Sequence, residues 1–249
     1  MKAGAVALLI LTACAPIACA ADHRNLDAGI PVTVEDAYTV KFREPTFQGI
    51  FAYQRLRGSV NQRGLLPELE YCIARDWQLD VGSRLFGRSR GKSEASGNLD
   101  VSVLHNFNTE TLRLPAFALR AAAEFPTGVD ARGVDFTLKG IVTKSLGYNR
   151  AHLNVSGTRA GSREGGRRRS RWEGVLGWDR PVGLQSLLIA DVVVRQSERR
   201  GSAAATELEI GIRRQITPRQ VVSFGVGAGL TGRTEKQPVF FRFAISRAL

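Results

Sequence analysis

The sequence predicts an all-β chain: a transmembrane antiparallel up-and-down β-barrel of about twelve strands. Three observations predict it. From residue 46 onward the chain is a succession of segments, each about ten residues long, in which apolar and polar side chains alternate; that is the length a tilted strand needs to cross a bilayer. The links between segments are alternately long and short. The polar face of nearly every segment carries charge, which a dry interior would not tolerate.

The residues before 46 lie outside this pattern. Lys2, the apolar run AVALLILTA and the small residues ACA at 18–20 read as a secretory signal over residues 1–20, cleaved before Ala21. The stretch LTAC at 11–14 also resembles a lipobox, which would make Cys14 a lipidated residue, although the apolar run before it is short. Residues 21–45 are polar and read as an N-terminal leader on the periplasmic side; residues 46–249 read as the barrel. Without the signal, Cys72 is the only cysteine, so no internal disulfide is expected despite an oxidising destination. The longest later apolar run, LQSLLIADVVV at 184–194, is broken by Asp191 and is too short for a spanning helix. The net charge of +12 would permit nucleic-acid binding, but the basic residues do not gather on one helix and an exported chain meets little nucleic acid.

The segments follow in order. TFQGIFAYQRL (46–56) sets Phe47, Gly49, Phe51 and Tyr53 on one face. LLPELEYCIA (65–74) opposes Leu65, Leu69, Tyr71 and Ile73 to Glu68 and Glu70. WQLDVGSRLF (77–86) opposes Trp77, Leu79, Val81 and Leu85 to Asp80 and Arg84, and NLDVSVLHNF (98–107) opposes Leu99, Val101 and Val103 to Asp100 and Ser102. LPAFALRAAAEFPTG (114–128) is ambiguous by itself. Arg120 and Glu124 would pair on an alanine-rich helix, yet Phe117, Leu119 and Phe125 also alternate with them. Its neighbours decide for a strand, because an isolated helix among strands of matching length has no place in a meander.

GVDFTLKGIVTK (133–144) opposes Val134, Phe136 and Leu138 to Asp135 and Lys139; RAHLNVSGT (150–158) opposes Leu153 and Val155 to His152, Asn154 and Ser156. RWEGVLGWD (171–179) opposes Trp172, Leu176 and Trp178 to Glu173 and Asp179, and LQSLLIADVVVR (184–195) alternates least cleanly. TELEIGIRRQ (206–215) opposes Leu208, Ile210 and Ile212 to Glu207, Glu209 and Arg213; VVSFGVGAGL (221–230) and PVFFRFAISRAL (238–249) complete the series. The long links are 57–64, 87–96, 161–170 and 196–204; the short ones are 75–76, 108–111, 147–149, 180–183 and 217–219. An outer-membrane meander has its short turns at the periplasmic end, where an even strand count also places both termini.

Alternation does not say which face is inside. A closed sheet of about twelve strands encloses a space too wide for apolar side chains to fill, so the apolar rows belong against lipid and the charged rows against a wet lumen. The lumen-facing candidates are Glu68, Glu70, Asp80, Arg84, Asp100, Arg120, Glu124, Asp135, Lys139, Glu173, Glu207, Glu209, Arg213 and Arg242, both signs together, able to form ion pairs across the wall. Trp77, Phe107, Phe125, Tyr148, Trp172 and Trp178 fall near segment ends, as interfacial girdles do. Arg163, Arg167, Arg168, Arg169 and Arg171 place a basic cluster at an outer loop, where lipopolysaccharide phosphates are partners or where the charge simply keeps a loop solvated.

Catalytic signatures are missing. His152 and Ser156 stand roughly 13 Å apart along one strand, beyond hydrogen-bond reach. The sequence contains no Gly-x-Ser-x-Gly, no His-x-x-x-His and no cysteine pair. No catalytic residue, cofactor or metal site is expected.

Three frames carry a resemblance: LPAFALRAAAEFPTG, GVDFTLKGIVTKSLGYNRAHLNVSG and TELEIGIRRQITPRQVVSFGVGAGL. Pro115, Ala118, Leu119, Pro126, Thr127, Gly128, Asp135, Thr143, Lys144, Leu146, Gly147, Asn154, Glu209, Gly211 and Thr217, with GNLDV at 97–101, resemble the outer-membrane transporter family labelled "MetA-pathway of phenol degradation". The resemblance covers roughly residues 65–249. It implies a membrane barrel that passes small hydrophobic or aromatic compounds, handled on export by the barrel-assembly machinery; it supplies no substrate-contacting residues. Many such barrels end in Phe, whereas this chain ends in Leu249.

The expected function is passive transport of small, apolar solutes across the outer membrane of a Gram-negative bacterium. The alternatives are a non-conducting structural or adhesive barrel, plugged by its salt bridges or by residues 21–45, and a soluble periplasmic β-sandwich that binds ligands.

Overall fold

Twelve antiparallel strands close on themselves in a computed structural model of the chain, which describes residues 21–55, 61–88, 96–127, 133–161, 168–231 and 239–249. The signal segment 1–20, the lipobox at Cys14 and the loop residues Arg163 and Arg167 lie outside the described residues. The strands are β1 (Thr46–Arg55), β2 (Asn61–Ala74), β3 (Trp77–Arg88), β4 (Ser96–Asn106), β5 (Ala116–Phe125) and β6 (Asp135–Leu146). They continue as β7 (Asn149–Arg159), β8 (Ser170–Pro181), β9 (Ser186–Arg195), β10 (Ala205–Thr217), β11 (Gln220–Thr231) and β12 (Val239–Ala248). Each pairs with its sequence neighbours, and β1 closes the barrel against β12 from Thr46↔Ala248 to Arg55↔Val239. Closure leaves no free sheet edge, a condition for a sheet immersed in lipid.

The ambiguous alanine-rich stretch is strand β5, paired with β4 and β6. Alanine's helix preference yields because two neighbouring ladders satisfy its backbone. Two link expectations need correction. Asn61–Gly64 belong to β2, because Gln62↔Arg88 and Arg63↔Gly87 extend the ladder into what reads as a loop. The connection after β4 runs from 107 to 115 rather than over 108–111, because Asn108 folds it back by accepting from Phe117 N–H and donating to the Pro115 carbonyl.

The direction of the faces is settled by one strand. On β10, Leu208, Ile210 and Ile212 are 48%, 49% and 41% exposed, while Glu207 and Glu209 are 3% and 0% exposed. The same holds around the wall: Phe47, Phe51, Leu69, Leu85, Leu153, Leu176, Phe224, Phe241 and Phe243 face outward. A soluble β-sandwich with these residues in its core is not what the chain forms. The sheet is single and closed, and its apolar rows are on the outside.

Candidate functional site: a barrel interior filled by residues 21–45

All fourteen lumen-facing candidates point inward, and the inner rows also carry Gln48, Gln78, Ser102, Thr143, Arg150, His152, Asn154, Asp179 and Asp191. Yet Glu70, Asp80, Arg120, Glu207, Glu209 and Arg213 are buried rather than bathed in water. The reason is the segment before β1. Residues 21–45, expected as a leader on the periplasmic side or, in the alternative reading, as a plug, run within the barrel. Leu26, Ile30, Val32, Val34, Glu35, Asp36 and Ala37 are fully buried against its inner wall.

This segment has no regular secondary structure over 31–41, so its backbone N–H groups need partners from elsewhere. The wall supplies them. Thr33 N–H donates to Glu209 Oε2 (2.7 Å), Val34 N–H to Asp191 Oδ2 (2.7 Å) and Glu35 N–H to Asn154 Oδ1 (2.9 Å). Ala37 N–H donates to Thr143 Oγ1 (3.0 Å) and Val40 N–H to Gln78 Oε1 (2.7 Å). Asn154 and Asn106 also donate back, to the Glu35 and Ala37 carbonyls. Glu209, Asp191, Asn154 and Arg120 sit midway along their strands, so residues 33–35 reach half the height of the barrel. The loop is braced internally: Asp36 N–H donates to the Leu26 carbonyl, and the Asp36 carboxylate accepts from Leu26 and Tyr38 N–H.

Three ion-pair clamps hold it. Arg120 donates through Nε to Glu35 Oε1 (2.7 Å) and through Nη1 to Asp80 and Ser102, while Lys139 Nζ donates to Glu35 Oε2 (2.9 Å). Arg150 bridges Asp36 (3.0 Å) and Asp179 (2.8 Å) and donates to the Arg24 carbonyl. Arg213 donates to Asp27 Oδ2 (3.2 Å) and the Ile30 carbonyl (3.3 Å). Burial would raise the Glu35 carboxyl, but Arg120 and then Lys139 outweigh it and hold the group below its ordinary value. Burial dominates at Asp36 and Asp27, whose carboxyls stay raised although Arg150 and Arg213 oppose the shift.

His152 Nε2 donates to Asp179 Oδ2 (2.7 Å), and its Nδ1 lies 3.0 Å from Thr143 Oγ1. Ser156, on the same strand, is out of reach of His152; the partner is Thr143 on the adjacent strand. Thr143 Oγ1 is covered by the Ala37 amide it accepts from, so this hydroxyl–imidazole–carboxylate chain is part of the clamp on residues 36–37.

Close approach is permitted by inward glycines. A Cβ built on Gly177, Gly211 or Gly225 would stand closer than 3.0 Å to Val34, Pro31 and Pro31 respectively. These three positions are the signal that sequence reading passed over: glycine on the inward face of β8, β10 and β11 leaves room for another chain.

Beyond residue 35, toward the long loops, the inner wall pairs with itself. Arg84 meets Asp100 (2.7 Å), Arg195 meets Glu173 (3.0 Å) and Glu207 (3.2 Å), and Asn98 donates to Glu124 (2.6 Å). Arg242 joins Glu209 at 3.2 Å, and Glu68 lies opposite Gln48 in the ladder. Arg171 departs from expectation: it sits on the inward row of β8, 3.5 Å from Asp135 and 3.7 Å from Glu198, not in a solvated outer loop. Arg168 and Arg169 stay in the connection, where Arg168 N–H donates to the Glu198 carbonyl and Arg169 offers its carbonyl to Ala160 N–H. At the short-turn end a cavity of about 340 Å³ remains between residues 21–46 and the wall, lined by Asp27, Asp36, Arg150 and Arg213 among others.

No protein-family model and no curated protein sequence matches the chain. Solved structures do. The COG4313 outer membrane channel from Pseudomonas putida F1 superposes with a TM-score of 0.68 at 12% identity, over 88% of this chain and 100% of that one. The chain has the fold of an outer-membrane channel. The NanC porin follows at a TM-score of 0.59 and 9% identity, over 82% of this chain and 100% of that one. The KdgM porin in complex with disordered oligogalacturonate gives 0.58 and 8%, over 82% and 99%. These neighbours are channels and porins rather than enzymes. At such identities the likeness is one of fold, and the clamped segment has to be read from this chain's own residues.

Proposed function

We propose that the chain is an outer-membrane channel of a Gram-negative bacterium whose resting pore is closed by its own residues 21–45. The observation that carries this reading is the division of faces: apolar rows outside a closed twelve-strand sheet, ionisable rows inside it. A barrel needed only as a wall could fill its interior with any side chains. Here the filling is a separable segment, entering and leaving at the short-turn end and held by polar contacts that water can replace. Release of residues 26–40 would open a lumen lined by Asp80, Arg120, Lys139, Arg150, Asp191 and Glu209. The solutes are small; the resemblance to the phenol-degradation transporter family favours hydrophobic or aromatic ones, moving passively down their gradient. Arg168 and Arg169 would meet lipopolysaccharide phosphates at the outer mouth.

The test is planar-bilayer recording of the purified chain beside a variant lacking residues 26–37. Under this reading the intact chain shows rare openings and the shortened one a steady conductance, with permeation of small aromatic solutes in liposome assays. A second reading, a non-conducting barrel, is favoured by the number of bonds holding the segment. It wins if the shortened chain conducts while the intact chain never opens at any voltage or solute concentration.

A further inference from the structure

The outward apolar belt does not stop at the same level all round the barrel. At the short-turn end exposed outward arginines stand on β10 (Arg214), β12 (Arg247) and the β2–β3 turn (Arg75), as Arg180 does on β8, and on β10 Ile216 follows Arg214 at 55% exposure. The β10–β11 turn is Thr217, Pro218 and Arg219. On the opposite half no free charge ends the belt along β4 to β7. Val103, His105 and Phe107 continue down β4, with His105 stacked on Trp77 at 4.2 Å and met edge-on by Phe107. Phe117 leads through Pro115 to Leu114 below β5. On β6, Lys144 is neutralised: its Nζ donates to Glu110 Oε1 and to the Thr111 and Leu112 carbonyls.

Past these rows the turn tips are themselves apolar. Leu112 is 99% exposed, Leu184 96% and Tyr148 83%, and they lie on the β4–β5, β8–β9 and β6–β7 connections, three successive turns along one half of the rim. Large apolar side chains so open to solvent at the tips of three successive turns mark a contact surface. Two exposed arginines border it, Arg113 and Arg180, with stems long enough to lay along apolar surface while the guanidinium reaches a phosphate.

We infer that this half-rim, centred on Leu112, Tyr148 and Leu184, is embedded at the headgroup–acyl boundary of the periplasmic leaflet, with Arg113 and Arg180 on phospholipid phosphates. The barrel therefore sits tilted, deeper on the β4–β9 side than on the β10–β3 side. Lipid is favoured over a periplasmic protein by continuity: the surface runs without a charged break into the lipid-facing belt along β4 to β7. The inference rests on the membrane reading given above.

The test is depth-dependent quenching by brominated phospholipids of an environment-sensitive label on single cysteines, in the full barrel reconstituted in vesicles, with Cys72→Ala as background. Label positions are Leu112→Cys, Tyr148→Cys and Leu184→Cys on the rim, Arg219→Cys on the polar turn and Ile210→Cys in the mid-belt. The expected result is a blue-shifted, lipid-quenched signal at 112, 148 and 184, most sensitive to bromines near the headgroup, and a water-like signal at 219. Water-like signals at all three rim positions, equal to 219, overturn the inference while a quenched 210 leaves the membrane reading standing. An unquenched 210 sinks the membrane reading itself. Rim signals that become protected only when a periplasmic extract is added also overturn the inference, in favour of a protein partner.

Discussion

Gly211→Ala is the least disruptive way to ask whether the inner segment is a gate. The added Cβ would sit 2.5 Å from Pro31 Cγ, 3.0 Å from the Phe224 carbonyl oxygen and 3.1 Å from Val32 Cγ1. Gly211 is held in the ladder opposite Gly225 and Ile189, so the wall has little freedom to retreat and Pro31 must move. Overpacking of one methyl costs about 1–3 kcal/mol; the Pro31 and Val32 part falls on the seated state alone, whereas the milder Phe224 contact is common to both states. In the barrel itself alanine replaces glycine in a strand interior, which by itself stabilises by roughly 0.5–1 kcal/mol. The seated-to-released ratio therefore falls about 5- to 150-fold while the barrel keeps its stability. Single-channel recording reads the first as a matching rise in open probability, and heat-modifiable migration on gels reads the second as no change. An unchanged open probability in a correctly folded G211A barrel refutes the reasoning, because it means either that the segment is not the barrier or that it does not sit where Pro31 meets β10.

Glu35→Gln removes the anion shared by Arg120 and Lys139. Breaking a buried pair costs about 3–5 kcal/mol, so protease access to residues 21–45 should rise sharply, with Arg120 retained by Asp80. Acid should mimic this through the same group. The seated Glu35 carboxyl lies below its ordinary 4.5, so its contribution to seating is complete above that value and is lost as pH falls through the seated value. Asp36, whose carboxyl is raised, works in the opposite sense and favours seating as it protonates. Open probability measured against pH below about 4.5 should accordingly change less in E35Q than in the parent. Thr143→Val leaves the Ala37 amide and His152 Nδ1 without the hydroxyl they share, a loss of roughly 1–3 kcal/mol visible as earlier exchange of the Ala37 amide in hydrogen-exchange measurements. Ile210→Lys puts a charge at mid-belt and should lower folding stability in vesicles by about 2–4 kcal/mol, whereas with that face exposed to water it would do almost nothing.

Fold and wall were legible because strand alternation is a local property. Leu208, Ile210 and Ile212 against Glu207 and Glu209 state the two faces of β10 within six residues, and the need to close the sheet says which face meets lipid. What fills the interior is not local. Asp191 pairs with an amide 157 positions away and Glu209 with one 176 positions away, at residues with no periodic pattern to mark them. The inward carboxylates and amides therefore read as the lining of a wet pore. A plug by residues 21–45 stood among the alternatives, but its only local mark was the small residues on the inward face, Gly177, Gly211 and Gly225, and glycine in a strand also accompanies bulges and barrel corners.

That reassignment of the inner rows bears on how easily the segment could leave. An unstructured segment inside a barrel must have its N–H groups met by side-chain acceptors, and a carboxylate is the strongest available. Asp191 and Glu209 meet that need with one cation nearby, Arg242, which donates to Glu209 and to Thr33 Oγ1. When the segment withdraws, both carboxylates and every freed amide pass to water, which makes comparable bonds, so each exchange has a net worth of only about 1–3 kcal/mol. Apolar contacts that water would penalise are few. Leu26, Val32 and Val34 meet Val175, Leu187, Ile189 and Val193; Ala37 meets Leu104 and Ile141; Ile30 meets Ile50 and Ala244. The balance in this barrel, many replaceable polar contacts and a few small apolar patches, is the one that the proposed release of residues 26–40 calls for.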